Sequence, residues 1–169
     1  RSGLKVPLYA LGTMNFAGSG LFSKVGSLAV AEAARLVDVA VEHGVTLLDT
    51  ADIYSTGKSE EAVGAILKGR SSDLMVASKV RFPMGPGANQ QGLSRHHILA
   101  ACDASLKRLG RDHIDIYFLH EWDGLTPVEE TMDAVDSLVR QGKVRYIGCS
   151  NFSGWHIMKA LMAADRHNW

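Results

Sequence analysis

A carboxylate, a phenol, an ammonium and an imidazole occur along this chain at the ends of short apolar runs. Asp49 closes the run in LLDTADIY and Tyr54 follows it in the next loop; Lys79 stands in VASKV and His120 in IYFLHEWD. Together these groups can deliver a proton to a carbonyl oxygen. Hydride addition to a carbonyl leaves negative charge on oxygen, and a positioned donor must supply a proton as that charge develops. A phenol is a weak acid, about pH 10 in water, and a neighbouring ammonium favours its ionised form. Lys79 is the residue for that role. Asp49 would hold the ammonium charged and in place, and His120 would orient the substrate oxygen through a hydrogen bond.

Each residue also has an ordinary reading. An Asp at a strand end is often a cap, and a loop Tyr often packs against its own loop. Lys79 is harder to explain that way, because it directly follows the apolar LMVAS, where a charge is normally avoided. The ordered series DTADIY, SKV, LH and GCSN is more specific than any of its members.

That series resembles the aldo-keto reductases, and the resemblance runs over essentially the whole chain. It implies a catalytic tetrad of Asp49, Tyr54, Lys79 and His120, reducing an aldehyde or ketone to an alcohol with hydride from NADPH, NADH remaining open. It implies cofactor contacts from Gly12, Thr13 and Met14 on one side, Asp49 in the middle, and Ser150 with Asn151 at the nicotinamide carboxamide. A small carbonyl substrate would meet Tyr54, His120 and Trp122, with Phe82 and Met84 in the long Gly-rich loop as further lining. Ser150 and Asn151 also suit a helix N-cap, and Trp122 also suits a cover over the rim; both pairs of readings stay open. No metal is implied.

Five strand–helix units must carry these residues. Apolar runs are expected around Leu8 to Thr13, Val45 to Thr50, Leu74 to Val80, Ile114 to His120 and Val144 to Cys149. Helices are expected around Leu28 to His43, Ser59 to Lys68, Ser94 to Leu109, from Thr126-Pro127 to a stop at Gly142, and Phe152 to Arg166. The first is expected to bury Val30, Ala33, Val37, Ala40 and Val41. Gly57 to Glu61 reads as a helix start with an acidic first turn; the preceding glycine of a phosphate loop is absent. Strictly alternating units predict an α/β fold with a parallel sheet, and polar residues after each strand are where a (β/α)8 barrel keeps its site. The first strand-turn, LGTMNF, lacks the spaced glycines of a doubly wound dinucleotide fold.

A closed barrel takes eight units and about 250 residues, so this chain of 169 reads as a single domain over 1–169, an incomplete barrel. Three C-terminal units are missing against the family. The expectation is a part of a longer protein, or self-association through open barrel edges.

Composition excludes several classes. Lys plus Arg equals Asp plus Glu at 18 each, so no net field draws nucleic acid or an anionic membrane. No apolar run nears the roughly 20 residues of a membrane span. Cys102 and Cys149 lack metal-type spacing and read as reduced core thiols in a cytoplasmic protein. Two other functions stand as alternatives: a non-catalytic cofactor-sensing regulatory subunit, and a metal-dependent barrel hydrolase using His120, Glu121 and Asp123.

Overall fold

The computed structural model describes residues 2–18, 20–70 and 73–169. Among them, five parallel strands form one sheet in the order in which they occur in the chain: β1 (Leu11–Gly12), β2 (Leu47–Asp49), β3 (Met75–Val80), β4 (Ile114–Leu119) and β5 (Val144–Cys149). Among the described residues an α-helix follows each strand: α1 (Val30–Glu42), α2 (Lys58–Leu67), α3 (Arg95–Leu109), α4 (Val128–Arg140) and α5 (Gly154–His167). This is the expected α/β architecture, an open run of β/α units of the barrel type.

The register decides which side chains meet. Asp49 pairs with Ala77, and Lys79 with Phe118, so Asp49, Lys79 and Phe118 share one face of the sheet. Leu48, Val76, Ser78, Val80, Tyr117 and Leu119 point the other way and are buried. All of these but Ser78 meet Val63 and Ile66 of α2, Ile98 and Cys102 of α3, and Val135 and Leu138 of α4 in one continuous apolar cluster.

Helix limits have local causes. Ser94 caps α3 by accepting from the His97 N–H at 3.2 Å, and Gly110, left-handed at φ 63°, ends it. Glu129 and Glu130 occupy the first turn of α4 and Arg140 its last, as the helix dipole favours. Between α2 and α3 the approach is close: a Cβ on Gly64 would stand 2.6 Å from the Arg108 carbonyl oxygen and 2.8 Å from that of Leu109. Both are backbone atoms within α3. Gly64→Ala is therefore expected to destabilise the protein, by up to about 2 kcal/mol, because overpacking costs about 1–3 kcal/mol while alanine's helix propensity returns about 1. A chemical-denaturation midpoint equal to or above that of the parent would refute this.

Three expectations need correction. The first strand is two residues long, with Leu8 and Tyr9 exposed, because β1 pairs with β2 only through Leu11 and Gly12. Val30 is exposed at the first turn of α1, whose buried residues are Ala33 and Val37. Cys149 is exposed, not a core thiol: β5 is the sheet edge and only β4 flanks it, whereas Cys102 is fully buried under α3. Burial pushes the Cys102 thiol up to about 12. The same edge leaves Tyr146 and Ile147 of β5 exposed, along with Trp155, Met158, Leu161 and Met162 of α5. Among the described residues, no helix is long and apolar enough to cross a membrane.

Candidate active site

Three neighbouring strands deliver the site. Asp49 is the last residue of β2, Lys79 the penultimate residue of β3, and His120 directly follows β4. Tyr54 begins a short 3-10 turn, Tyr54–Gly57, that leads into α2. The Lys79 ammonium is the hub. Its Nζ donates to Asp49 Oδ1 at 2.7 Å, to the Thr50 carbonyl at 2.9 Å and to the Tyr54 hydroxyl at 3.4 Å, which occupies all three of its donors. A buried ammonium is tolerated because it is paired and fully hydrogen-bonded.

His120 stands edge-on to Tyr54, ring centroids 5.9 Å apart at 79°, and edge-on to Phe82 at 4.9 Å. Burial, reinforced by the positive charges of Lys79 and Arg81 and opposed by Asp49, brings the imidazole down to about 4. It is neutral at physiological pH and so keeps one donating and one accepting nitrogen. Its Nδ1 is buried without a hydrogen-bond partner among the described residues. The backbone on either side is fixed: the His120 N–H donates to the Val80 carbonyl, and the His120 carbonyl accepts from Asn151 Nδ2 at 2.9 Å.

The tetrad residues thus converge, and the others separate into groups. Gly12 faces open space, with no atom within 4 Å of where a Cβ would stand, and Met14 is exposed. Thr13 is different: it is fully buried, with its hydroxyl on the Asp49 carbonyl at 3.2 Å and on the Ser59 hydroxyl at 2.9 Å, so it supports Asp49 from beneath. Ser150 and Asn151 follow β5, joined by a bond from Asn151 Nδ2 to Ser150 Oγ at 3.1 Å. Neither occupies the cap of α5, which falls to Ser153.

Trp122 turns toward α5. It stacks on His156 at 4.2 Å and 11°, meets Phe152 and Trp155 edge-on, and carries Lys159 Nζ 5.7 Å from its ring centre. The rings beside the tetrad are instead Phe82, on His120, and Phe22, edge-on to Tyr54 at 5.9 Å. Met84 lines a separate groove along α3 with His96 and His97. His120, Glu121 and Asp123 do not converge: Glu121 pairs with Arg81 at 3.2 Å, and the Asp123 carboxylate accepts from Leu93 N, Leu125 N and Thr126 Oγ1. Among the described residues, no three His, Cys, Asp or Glu side chains are grouped to hold a metal ion.

Several participants escaped the sequence reading. Phe22 comes from a 3-10 helix, Gly20–Lys24, in a Gly- and Ser-rich stretch with no periodic signal. Ser59 donates its one hydroxyl proton to the Thr13 carbonyl at 2.8 Å, and the Thr13 and Thr50 hydroxyls lie 2.9 and 3.1 Å from its oxygen. Asp52 is fully buried beside Lys79, to whose carbonyl its N–H donates at 3.2 Å. Both of its carboxyl oxygens are without a partner among the described residues, and burial, with Glu60 nearby, lifts it to about 8.

A parallel β/α sheet bearing a Lys-centred group of Asp, Tyr and His at the carboxyl ends of its strands defines a barrel-type α/β protein with its site on the strand-exit side. The chain belongs to the aldo/keto reductase family, whose model matches residues 10–169. It is 37% identical over 169 residues to a probable voltage-gated potassium channel subunit beta of Arabidopsis thaliana, covering 98% of this chain and 49% of that protein. It is 38% identical over 181 residues to the uncharacterized oxidoreductase YrpG of Bacillus subtilis (strain 168), covering 100% of this chain and 53% of that one. The chain therefore spans about half the length of these curated relatives.

Proposed function

We propose that this chain carries the proton-donating site of an oxidoreductase that reduces an aldehyde or ketone to an alcohol, using NADPH or NADH, with Tyr54 as the acid. The observation that carries the reading is the single Lys79 ammonium bonded to both the Asp49 carboxylate and the Tyr54 hydroxyl. When Tyr54 gives up its proton, the charge left on its oxygen lies beside that ammonium, already in place and needing no rearrangement. Asp49 and the Thr50 carbonyl keep Lys79 from swinging away. Neutral His120, edge-on to Tyr54, can donate a hydrogen bond to a carbonyl oxygen lying between them. Phe22 and Phe82 give that position apolar walls, which limits water.

The nicotinamide cofactor, when bound, supplies the hydride. The residues present suit it: open space at Gly12, an exposed Met14, and the linked side chains of Ser150 and Asn151 beyond β5. The name of the Bacillus relative, an oxidoreductase, agrees with the reading.

The test is loss of reduced-nicotinamide absorbance with a reactive aromatic aldehyde. Tyr54→Phe should lower turnover by at least about 10²- to 10⁴-fold, the usual weight of a positioned acid, while cofactor affinity stays unchanged. Turnover surviving in the variant removes Tyr54 from the role. The Arabidopsis relative is named as a probable channel subunit, which favours a second reading, a non-catalytic subunit of a larger assembly. Tight cofactor binding with negligible turnover across many carbonyls would select it.

A further inference from the structure

Beneath the Tyr54 turn lies a buried connection that the proton chemistry above does not use. Ser55 and Thr56 sit at φ 51° and 54°, and Gly57 at 88°. Left-handed backbone is unfavourable for residues with a Cβ, most of all a β-branched one. Such a conformation persists where its surroundings over-determine it.

Those surroundings start at Arg108 of α3. Its side chain lies across Gly57, so that a Cβ there would stand 2.7 Å from Arg108 Cδ and 2.9 Å from Nε. Arg108 Nε donates to Glu60 Oε2 at 2.6 Å, and the same guanidinium donates to Ser105 Oγ at 3.2 Å. Glu60 is wholly buried in the first turn of α2, and its Oε1 accepts the Ser78 hydroxyl at 2.5 Å. Ser78 is the residue before Lys79 in β3. One carboxylate thus joins the turn that presents Tyr54 to the strand that presents Lys79, with α3 as the brace.

Taking a carboxylate and a guanidinium out of water is unfavourable, and a well-packed apolar pair of similar volume is often as stable or more so. Stability alone gives no reason for ions here; geometry does. We propose that Glu60, with Arg108 and Ser78, is a positioning clamp that sets the Tyr54 hydroxyl against the Lys79 ammonium. The clamp touches no reacting atom, and it rests on the reading of Tyr54 as the proton donor.

The test uses the full-length protein with tyrosines labelled with ¹³C at Cζ. The Tyr54 signal is assigned with Tyr54→Phe, and Tyr9 and Tyr146 serve as internal controls. The double variant Glu60→Leu/Arg108→Leu removes both charges and keeps the site apolar. The clamp requires that its Tyr54 signal shift and broaden, and that kcat fall by about 10²-fold, the scale of a misplacement near 1 Å, with KM for the cofactor unchanged. A double variant that keeps both kcat and the Tyr54 signal overturns the proposal and leaves the pair structural. Should the double variant not fold, Ser78→Ala carries the test. It keeps both charges and cuts only the link to β3. A smaller shift in the same direction supports the clamp, and an unmoved Tyr54 signal overturns it. Should the parent turn over no carbonyl, the reductase reading fails, and the Tyr54 signal still decides whether the clamp exists.

Discussion

Lys79→Met is expected to abolish turnover and to weaken the fold, the largest combined loss of any single replacement at the site. The methionine fills much of the same volume but supplies none of the three hydrogen bonds to Asp49, Thr50 and Tyr54. Removing one preorganised donor from a reacting oxygen typically costs about 10²–10³ in rate. Lys79 also holds Asp49, so the loss should be at least that large. The cost in stability is set by the groups left behind. The Asp49 side chain is 35% exposed and regains water, whereas the Thr50 carbonyl lies under the buried side of Lys79. We therefore expect about 1–3 kcal/mol, the price of one unsatisfied buried acceptor, below the figure for a fully buried broken pair. Urea midpoints and aldehyde-dependent cofactor oxidation on the two proteins measure both effects. Turnover within a few-fold of the parent would remove Lys79 from the mechanism.

Asp52→Asn should change the pH dependence of stability more than any other single replacement. Burial and the nearby Glu60 raise Asp52 from 3.8 to about 8. Between those values the folded protein holds a proton that the unfolded chain has released. Stability therefore falls as pH rises through that window, and the loss is complete above about 8. His120 acts in the opposite sense. Its folded value is lowered from 6.5 to about 4, so between these the unfolded chain binds the extra proton and stability rises with pH. The two effects offset each other below 6.5, and above it Asp52 acts alone. The parent should lose stability from pH 6.5 to 8, and Asp52→Asn, neutral at every pH, should not. Below 6.5 the variant should show a rise uncovered, from His120 and from His97, whose imidazole burial also lowers. Parallel melting curves for the two proteins across the whole range would contradict the assignment of this proton to Asp52.

The sequence carried different parts of this picture unequally. The β3–α3–β4–α4 segment was legible because its strands are long enough to show apolar runs and its helices end on plain signals, Ser94, Gly110, the Glu129-Glu130 pair and Gly142. Asp49, Lys79 and His120 could be placed at strand ends for the same reason. Where burial depends on a neighbour rather than on the segment itself, the reading failed. Cys149 and Ile147 belong to an apolar run, yet they are exposed because β5 is the sheet edge. Trp122 follows His120 closely in the chain, yet its ring is drawn to His156 and Trp155 on α5. Glu60 reads as part of an acidic first turn, an ordinary helix-end charge, and Arg108 is not singled out at all. Their pairing joins residues 48 apart and is set by the packing of α2 on α3, which no local pattern encodes.

Because every strand lies beside its predecessor in the chain, the site can be built in the order of synthesis. The Asp49–Lys79 pair closes a separation of only 30 residues, and closing such a loop costs little more entropy than closing one half as long. Each β/α unit can dock on a surface already formed, but parallel strands pair only across an intervening helix, and such non-local pairing is slow to form. As a nascent chain lengthens, Asp49 would gain its counter-charge once β3 docks, and the group would be complete when β4 brings in His120. The Asp49, Tyr54, Lys79 and His120 group would thus be assembled before the fifth strand is added to the edge of the sheet, and the Asn151 bond that holds the His120 carbonyl would follow.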